Sequence, residues 1–152
     1  GRHLVRGLVL STACLGLGTL AHAASDMPVS PTVLIKTFDY NEASKSFDEI
    51  GLGSGTVIDN QGTVLTNSHV LTNYNDEPVD VIVSCFVFDV KKSAKCEYLT
   101  YLKAVNEDKD IAILKVDETS YVTKEKLAGF KSTEFKSSED FELEENNFYF
   151  FK

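Results

Sequence analysis

His69 and Asp110 are the two residues whose types and settings could support proton transfer. His69 follows an apolar stretch and three small polar residues, Thr66-Asn67-Ser68. Such a setting suits a general base, whose ring must be held firmly and still reach a proton. A carboxylate that accepts a hydrogen bond from one ring N–H fixes the imidazole tautomer and stabilises the imidazolium. The pair therefore predicts a general base whose ring is oriented by a carboxylate.

Asp110 is the last charge before the apolar stretch Ile111–Val116, which we expect to be a strand buried on both faces. A carboxylate beside a buried strand is costly to desolvate unless it is paired, and the N–H of a histidine ring is a suitable partner. Asp108 is the competing carboxylate, but it lies deeper in the polar turn 106–110. Asp110 is therefore the predicted partner of His69.

Other chemistries lack the residues that they need. His3 and His22 fall in a predicted leader, so His69 is the only histidine after it, and we predict no metal site. Three alternate glycines at 51, 53 and 55 precede a strand, whereas phosphate-binding glycines precede a helix. We therefore predict no cofactor. The glycines instead indicate a place where the backbone bends or passes close to another segment.

The elements that must position His69 and Asp110 are short strands separated by turns. The predicted strands are 32–38, 56–58, 63–66, 79–90, 97–105, 111–116 and 148–151. The polar segment 41–49 is predicted to be a loop, and 118–129 to contain a helical turn. This spacing favours an all-β fold, a small antiparallel β-barrel that forms one domain.

The first 23 residues have the three parts of a signal peptide. Arg2 and Arg6 precede the apolar run Leu8–Leu20, and Ala21-His22-Ala23 provides small residues for cleavage. The run is too short to span a bilayer, which needs about 20 residues. The sequence therefore predicts an exported protein, periplasmic or secreted, with contact to a membrane only if the leader stays uncleaved.

Cysteine content and charge restrict the function further. Removal of the leader takes away Cys14 and leaves Cys85 and Cys96, which flank a polar turn; a disulfide and two reduced thiols both remain open. The net charge of -8 disfavours nucleic acid and anionic membranes as partners, because both attract Lys and Arg.

Two segments resemble the HtrA/Deg branch of the trypsin-like serine proteases. They are Gly53–Val70, which contains Gly-Ser-Gly and Leu-Thr-Asn-Ser-His-Val, and Asp110–Val116. Weaker matches at 31–35 and 141–150 extend the similarity to residues 29–152. The resemblance implies a serine endopeptidase that acts on proteins or peptides, with unfolded chains as the expected substrates. It also implies that His69 is the general base, that Asp110 orients it, and that residues 24–152 form the first of two barrels.

The chain departs from the family in its serines. None of the serines after Asp110, which are Ser120, Ser132, Ser137 and Ser138, has a neighbouring glycine, and Ser54 belongs to the first-barrel hairpin. The oxyanion hole needs the backbone N–H groups of such a glycine-rich turn. We therefore expect no nucleophile in this chain, a missing second barrel and an inactive fragment. The alternative is a non-catalytic exported binding module or a decayed protease. No oligomeric state is predicted.

Overall fold

The computed structural model describes residues 26–135, which form an all-β domain. Its six strands are β1 (Thr32–Asn41), β2 (Ser46–Val57), β3 (Thr63–Thr66), β4 (Val81–Phe86), β5 (Lys95–Asn106) and β6 (Ile111–Val116). A short 3-10 helix, η1 (Ser68–Leu71), follows β3. No helix within residues 26–135 has the length and apolar character to cross a membrane.

The strands close into an antiparallel barrel in the order β1-β2-β3-β6-β5-β4. Alternate residues of each strand point inward, so that Val33 and Ile35 of β1 meet Val57, Val64 and Leu114 of other strands in one hydrophobic core. All five of these side chains are fully buried. The predicted all-β antiparallel barrel is therefore confirmed.

The glycines of β2 are placed where neighbouring side chains need their space. Gly53 pairs with Ile35 and shares its inward direction. A Cβ at Gly53 would lie 2.5 Å from Cγ1 of Val70, a residue of η1. The predicted close approach is therefore present, and it lies within a continuous strand. Because Val70 follows His69 directly, this contact seats the helix that carries His69 against the barrel.

Two hairpins extend beyond the closed part of the barrel. The outer half of β2 pairs only with β1, and β5 after Thr100 pairs only with β6. Positions 101–109 are consequently exposed without interruption. Leu102 and Val105 pair with the inward-facing Leu114 and Ala112, so they continue the inner face of the barrel into solvent.

Several sequence predictions were wrong in their details. Segment 41–49 is mostly strand, with only residues 42–45 in the turn, because backbone pairing holds its polar side chains on an exposed hairpin. Segment 118–129 contains the predicted single turn, in which the backbone N–H of Lys124 donates to the carbonyl of Ser120 four residues earlier, and the hydroxyl of Ser120 accepts bonds from the N–H groups of Val122 and Thr123. β6 buries one face only, since solvent reaches its other face. The predicted leader and the strand 148–151 lie outside the described residues.

Candidate active site

The pairing of β3 with β6 brings the two predicted residues together. Thr66, the last residue of β3, pairs with Ala112 near the start of β6. The chain therefore leaves β3 at the same end of the barrel at which it enters β6. His69 follows in η1, and Asp110 immediately precedes β6, so both residues lie at this end.

The ring of His69 makes a short contact with the carboxylate of Asp110. Nδ1 of His69 lies 2.6 Å from Oδ2 of Asp110. The side chains remain 71% and 42% exposed, respectively. Among the described residues none hydrogen-bonds to Nε2 of His69. A carboxylate on Nδ1 favours the tautomer with its proton there, which leaves the lone pair of Nε2 available to accept a proton.

Asp110 is held by the residues that immediately precede His69. Its Oδ1 accepts hydrogen bonds from the hydroxyl of Ser68, at 3.0 Å, and from the backbone N–H of His69, at 2.9 Å. Its backbone carbonyl accepts a third from Nδ2 of Asn67, at 2.9 Å. These bonds hold Asp110 in a left-handed conformation, with φ of 53°, which is uncommon outside glycine. Asn67 and Ser68 thus fix the direction of the carboxylate.

These contacts change the acidity of Asp110. The backbone N–H of His69, the His69 ring and the Ser68 hydroxyl lower the pKa of Asp110 to about 2, although partial desolvation opposes them. Hydrogen bonds from neutral donors stabilise the ionised carboxylate more than the acid form. Asp110 is therefore an acceptor, not an acid, across the neutral pH range.

A groove of about 420 Å³ opens beside the ring of His69. Leu71, Leu102 and Val105 contribute its apolar surface, while Asp76 and Glu107 are its carboxylates. Its position means that a chain lying in the groove would contact the imidazole.

Within residues 26–135 no serine hydroxyl hydrogen-bonds to the ring of His69. Ser68 donates its hydroxyl to Asp110, and the buried Ser120 donates to Glu97 on the far part of β5. Ser54 is exposed on the outer face of β2, where it pairs with Leu34. Ser137 and Ser138 lie outside the described residues.

The structure joins Cys85 of β4 and Cys96 of β5 through a disulfide. The two residues are paired across the hairpin, as the turn between them suggested. Within residues 26–135 no group of three or more His, Cys, Asp or Glu side chains is arranged to hold a metal ion.

The roles of Asn67 and Ser68 were not anticipated from the sequence. The available signal is a pair of hydrogen-bonding side chains directly before the histidine, to which the sequence analysis assigned no hydrogen-bond partner. Their contact with Asp110 depends on the turn conformation at Asp110, which residue types alone do not specify.

Comparison with known proteins places this geometry in a family. No curated protein matched the sequence. The family model of the trypsin-like peptidase domain matches residues 53–149, which is more than half of the chain and includes both His69 and Asp110. A closed antiparallel barrel with a histidine–aspartate pair at one end agrees with that match. The chain therefore belongs to the trypsin-like peptidase domain family.

Proposed function

We propose that the chain is the first-barrel portion of a serine endopeptidase of the HtrA/Deg branch, in which His69 is the general base and Asp110 orients it. The observation that carries the proposal is the 2.6 Å contact between His69 Nδ1 and Asp110 Oδ2, in a pair that solvent can reach. The glycine-rich hairpin around Gly53 and the segment after Asp110 support the assignment to this branch.

In the proposed reaction, Nε2 of His69 removes the hydroxyl proton of a serine as its oxygen attacks the peptide carbonyl. The resulting imidazolium returns this proton to the leaving amine, and the acyl group stays on the serine. Water then attacks the acyl-enzyme with the same proton transfers, which releases the acid and restores the serine. Throughout, the ionised Asp110 holds the ring in one tautomer and stabilises its positive charge.

We further propose that the nucleophilic serine lies in a part of the polypeptide outside these 152 residues. The contacts of Ser68 and Ser120 support this, since both hydroxyls donate to carboxylates away from Nε2. The oxyanion hole and most of the substrate cleft would come from the same missing part.

The direct test is expression of the chain with the coding sequence that follows Lys152. We expect this longer protein to hydrolyse an unfolded protein substrate and to react with a serine-directed phosphonate. His69→Ala and Asp110→Asn should each lower kcat by about 10⁴-fold or more, as removal of these groups does in serine proteases. The 152-residue chain alone should show no hydrolysis.

Two outcomes would contradict the proposal. Phosphonate-sensitive hydrolysis by the short chain would place the nucleophile within it. Full activity of His69→Ala in the longer protein would remove His69 from the mechanism. A stop codon directly after Lys152 would favour the alternative, a non-catalytic binding module or a decayed protease.

Export is also part of the proposal. A disulfide between Cys85 and Cys96 persists in oxidising compartments such as the periplasm or the extracellular space, which supports an exported protein. Unfolded proteins are the proposed substrates, on the resemblance to the branch. Mass analysis of the exported protein should give an N-terminus at Ala24; an intact leader in the cytoplasmic fraction would refute export.

A further inference from the structure

The groove beside His69 combines an apolar floor with an acidic rim. Leu102 and Val105 are 46% and 49% exposed, because β5 carries the inner face of the barrel beyond its closed part. Pro78 and the largely buried Leu71 also line the groove. The volume of about 420 Å³ is within the range, about 300–1,000 Å³, of sites that bind small molecules.

Two carboxylates give the groove its charge. Asp76 comes from the loop after η1, and Glu107 from the turn that joins β5 to β6. Both residues are exposed, and no Lys or Arg among the described residues lines the groove. The carboxylate of Asp110 lies behind the His69 ring and adds to the negative potential.

A long cationic side chain matches this arrangement better than the other side chains. Lys and Arg place an aliphatic stem along apolar surface while the charged end stays near water. Here the stem would contact Leu102 and Val105, and the charged end would lie between Asp76 and Glu107. An acidic side chain would be repelled by the two carboxylates, and a purely apolar side chain would gain no electrostatic attraction from them.

We propose that this groove binds a Lys or Arg side chain of the substrate, from a residue close to the scissile bond. Closeness to the scissile bond rests on the proposed function, because the groove shares the ring of His69. The preference for a cation rests on the groove residues alone. The enzyme would thus favour basic segments of unfolded proteins.

The test measures peptide binding to the isotope-labelled 152-residue chain by NMR. The reporters are the signals of the His69 ring and of the methyl groups of Leu102 and Val105. The probes are three blocked tripeptides, Ac-Gly-X-Gly-NH₂, with X as Lys, norleucine or Glu. Lys and norleucine share an aliphatic stem and differ in the charge. We expect the Lys peptide to bind about three- to tenfold more tightly than the norleucine peptide, since exposed ion pairs contribute modestly.

Variants of the rim identify the source of the preference. Glu107→Gln and Asp76→Asn should each lower the affinity for the Lys peptide about two- to fivefold and leave the affinity for the norleucine peptide unchanged. Glu42→Gln, at an exposed carboxylate on the tip of the β1–β2 hairpin, is the matched control and should change neither. The preference should also shrink as salt rises from low to high concentration, because exposed charges are screened.

Equal affinity for the Lys and norleucine peptides would overturn the proposal, as would shifts that map away from the groove or no shifts with any peptide. These results are independent of hydrolysis. If the longer protein cleaves substrates without favouring Lys or Arg, the endopeptidase function stands and the groove assignment falls. If the groove binds cations but the longer protein is inactive, the cation preference stands and the substrate role falls.

Discussion

Replacement of Gly53 by alanine should displace the helix that carries His69. The added Cβ would lie 2.5 Å from Cγ1, 2.8 Å from Cγ2 and 3.2 Å from Cβ of Val70. Rotation of the valine about χ1 moves the γ-carbons but leaves Cβ in place, and a β-branched side chain has few alternative rotamers. Relief therefore requires Val70, and with it His69, to move away from β2.

The size of the effect follows from overpacking. Extra methyl groups in a packed position cost about 1–3 kcal/mol. For a domain of this size we expect Gly53→Ala to lower Tm by about 5–15 °C. Because His69 precedes Val70 in η1, the contact of Nδ1 with Asp110 should lengthen, and the low-field NMR signal of the Nδ1 proton should shift upfield or broaden.

Two further variants make this prediction specific. Gly129→Ala is the matched control, since its Cβ would meet only Sδ of Met27, at 3.4 Å. The double variant Gly53→Ala/Val70→Ala removes the two γ-carbons that collide, so its loss of stability should be smaller than the sum of the single losses. An unchanged Tm and an unchanged Nδ1 proton in Gly53→Ala would refute the reasoning, and so would equal effects in Gly129→Ala.

Three other predictions concern titration and the disulfide. With its pKa lowered to about 2, Asp110 should contribute stability that is complete above about pH 4 and is lost as pH falls toward 2; Ser68→Ala should move that pKa upward in a ¹³C carboxyl titration, and an unchanged value would contradict the role of the hydroxyl. Burial and the nearby Glu97 raise the pKa of Tyr98 to about 12, so its neutral form should stabilise the fold below about pH 10 and lose this effect as pH rises toward 12. An absorbance titration should show a late ionisation that Tyr98→Phe removes, whereas ionisation of Tyr98 near pH 10 would contradict its burial. Reduction of the Cys85–Cys96 bond, which closes a loop with a sequence separation of 11, should lower the free energy of unfolding by about 2–3 kcal/mol in denaturant melts, and equal melts of both forms would count against the bond.

Strands could be predicted from the sequence where a continuous apolar stretch coincides with a strand of the barrel. The apolar stretches 63–66 and 111–116 are strands with the predicted bounds, and their pairing brings His69 to Asp110. Segment 41–49 was misassigned because its polar residues carry no hydrophobic alternation, although pairing with the rest of the hairpin makes most of it strand. Such cross-strand pairing depends on the neighbouring strand and is not encoded in the types of these polar residues.

The hydrogen bonds that hold Asp110 could likewise not be predicted from residue types. A sequence shows that Asn67 and Ser68 can form hydrogen bonds, but not with which groups. Their partner is fixed by the left-handed backbone at Asp110, a conformation that many aspartates do not adopt. The acidic groove could not be predicted from the sequence either. Asp76 and Glu107 are distant in sequence and line the same groove only because the fold brings their two loops beside His69.

The bracing of Asp110 by Asn67 and Ser68 has a consequence for biosynthesis. The four hydrogen bonds between Asp110 and residues 67–69 join residues 41 to 43 positions apart, all within one barrel. A nascent chain can therefore form the pair soon after β6 leaves the ribosome, since domains fold as units from the N-terminal side during synthesis. We expect nascent chains stalled after β6 has left the ribosome to resist proteolysis. Rapid digestion of these chains would show that folding requires later residues. On the proposed function, proteolytic activity would begin when the nucleophile has been synthesised, and not when the His69–Asp110 pair forms.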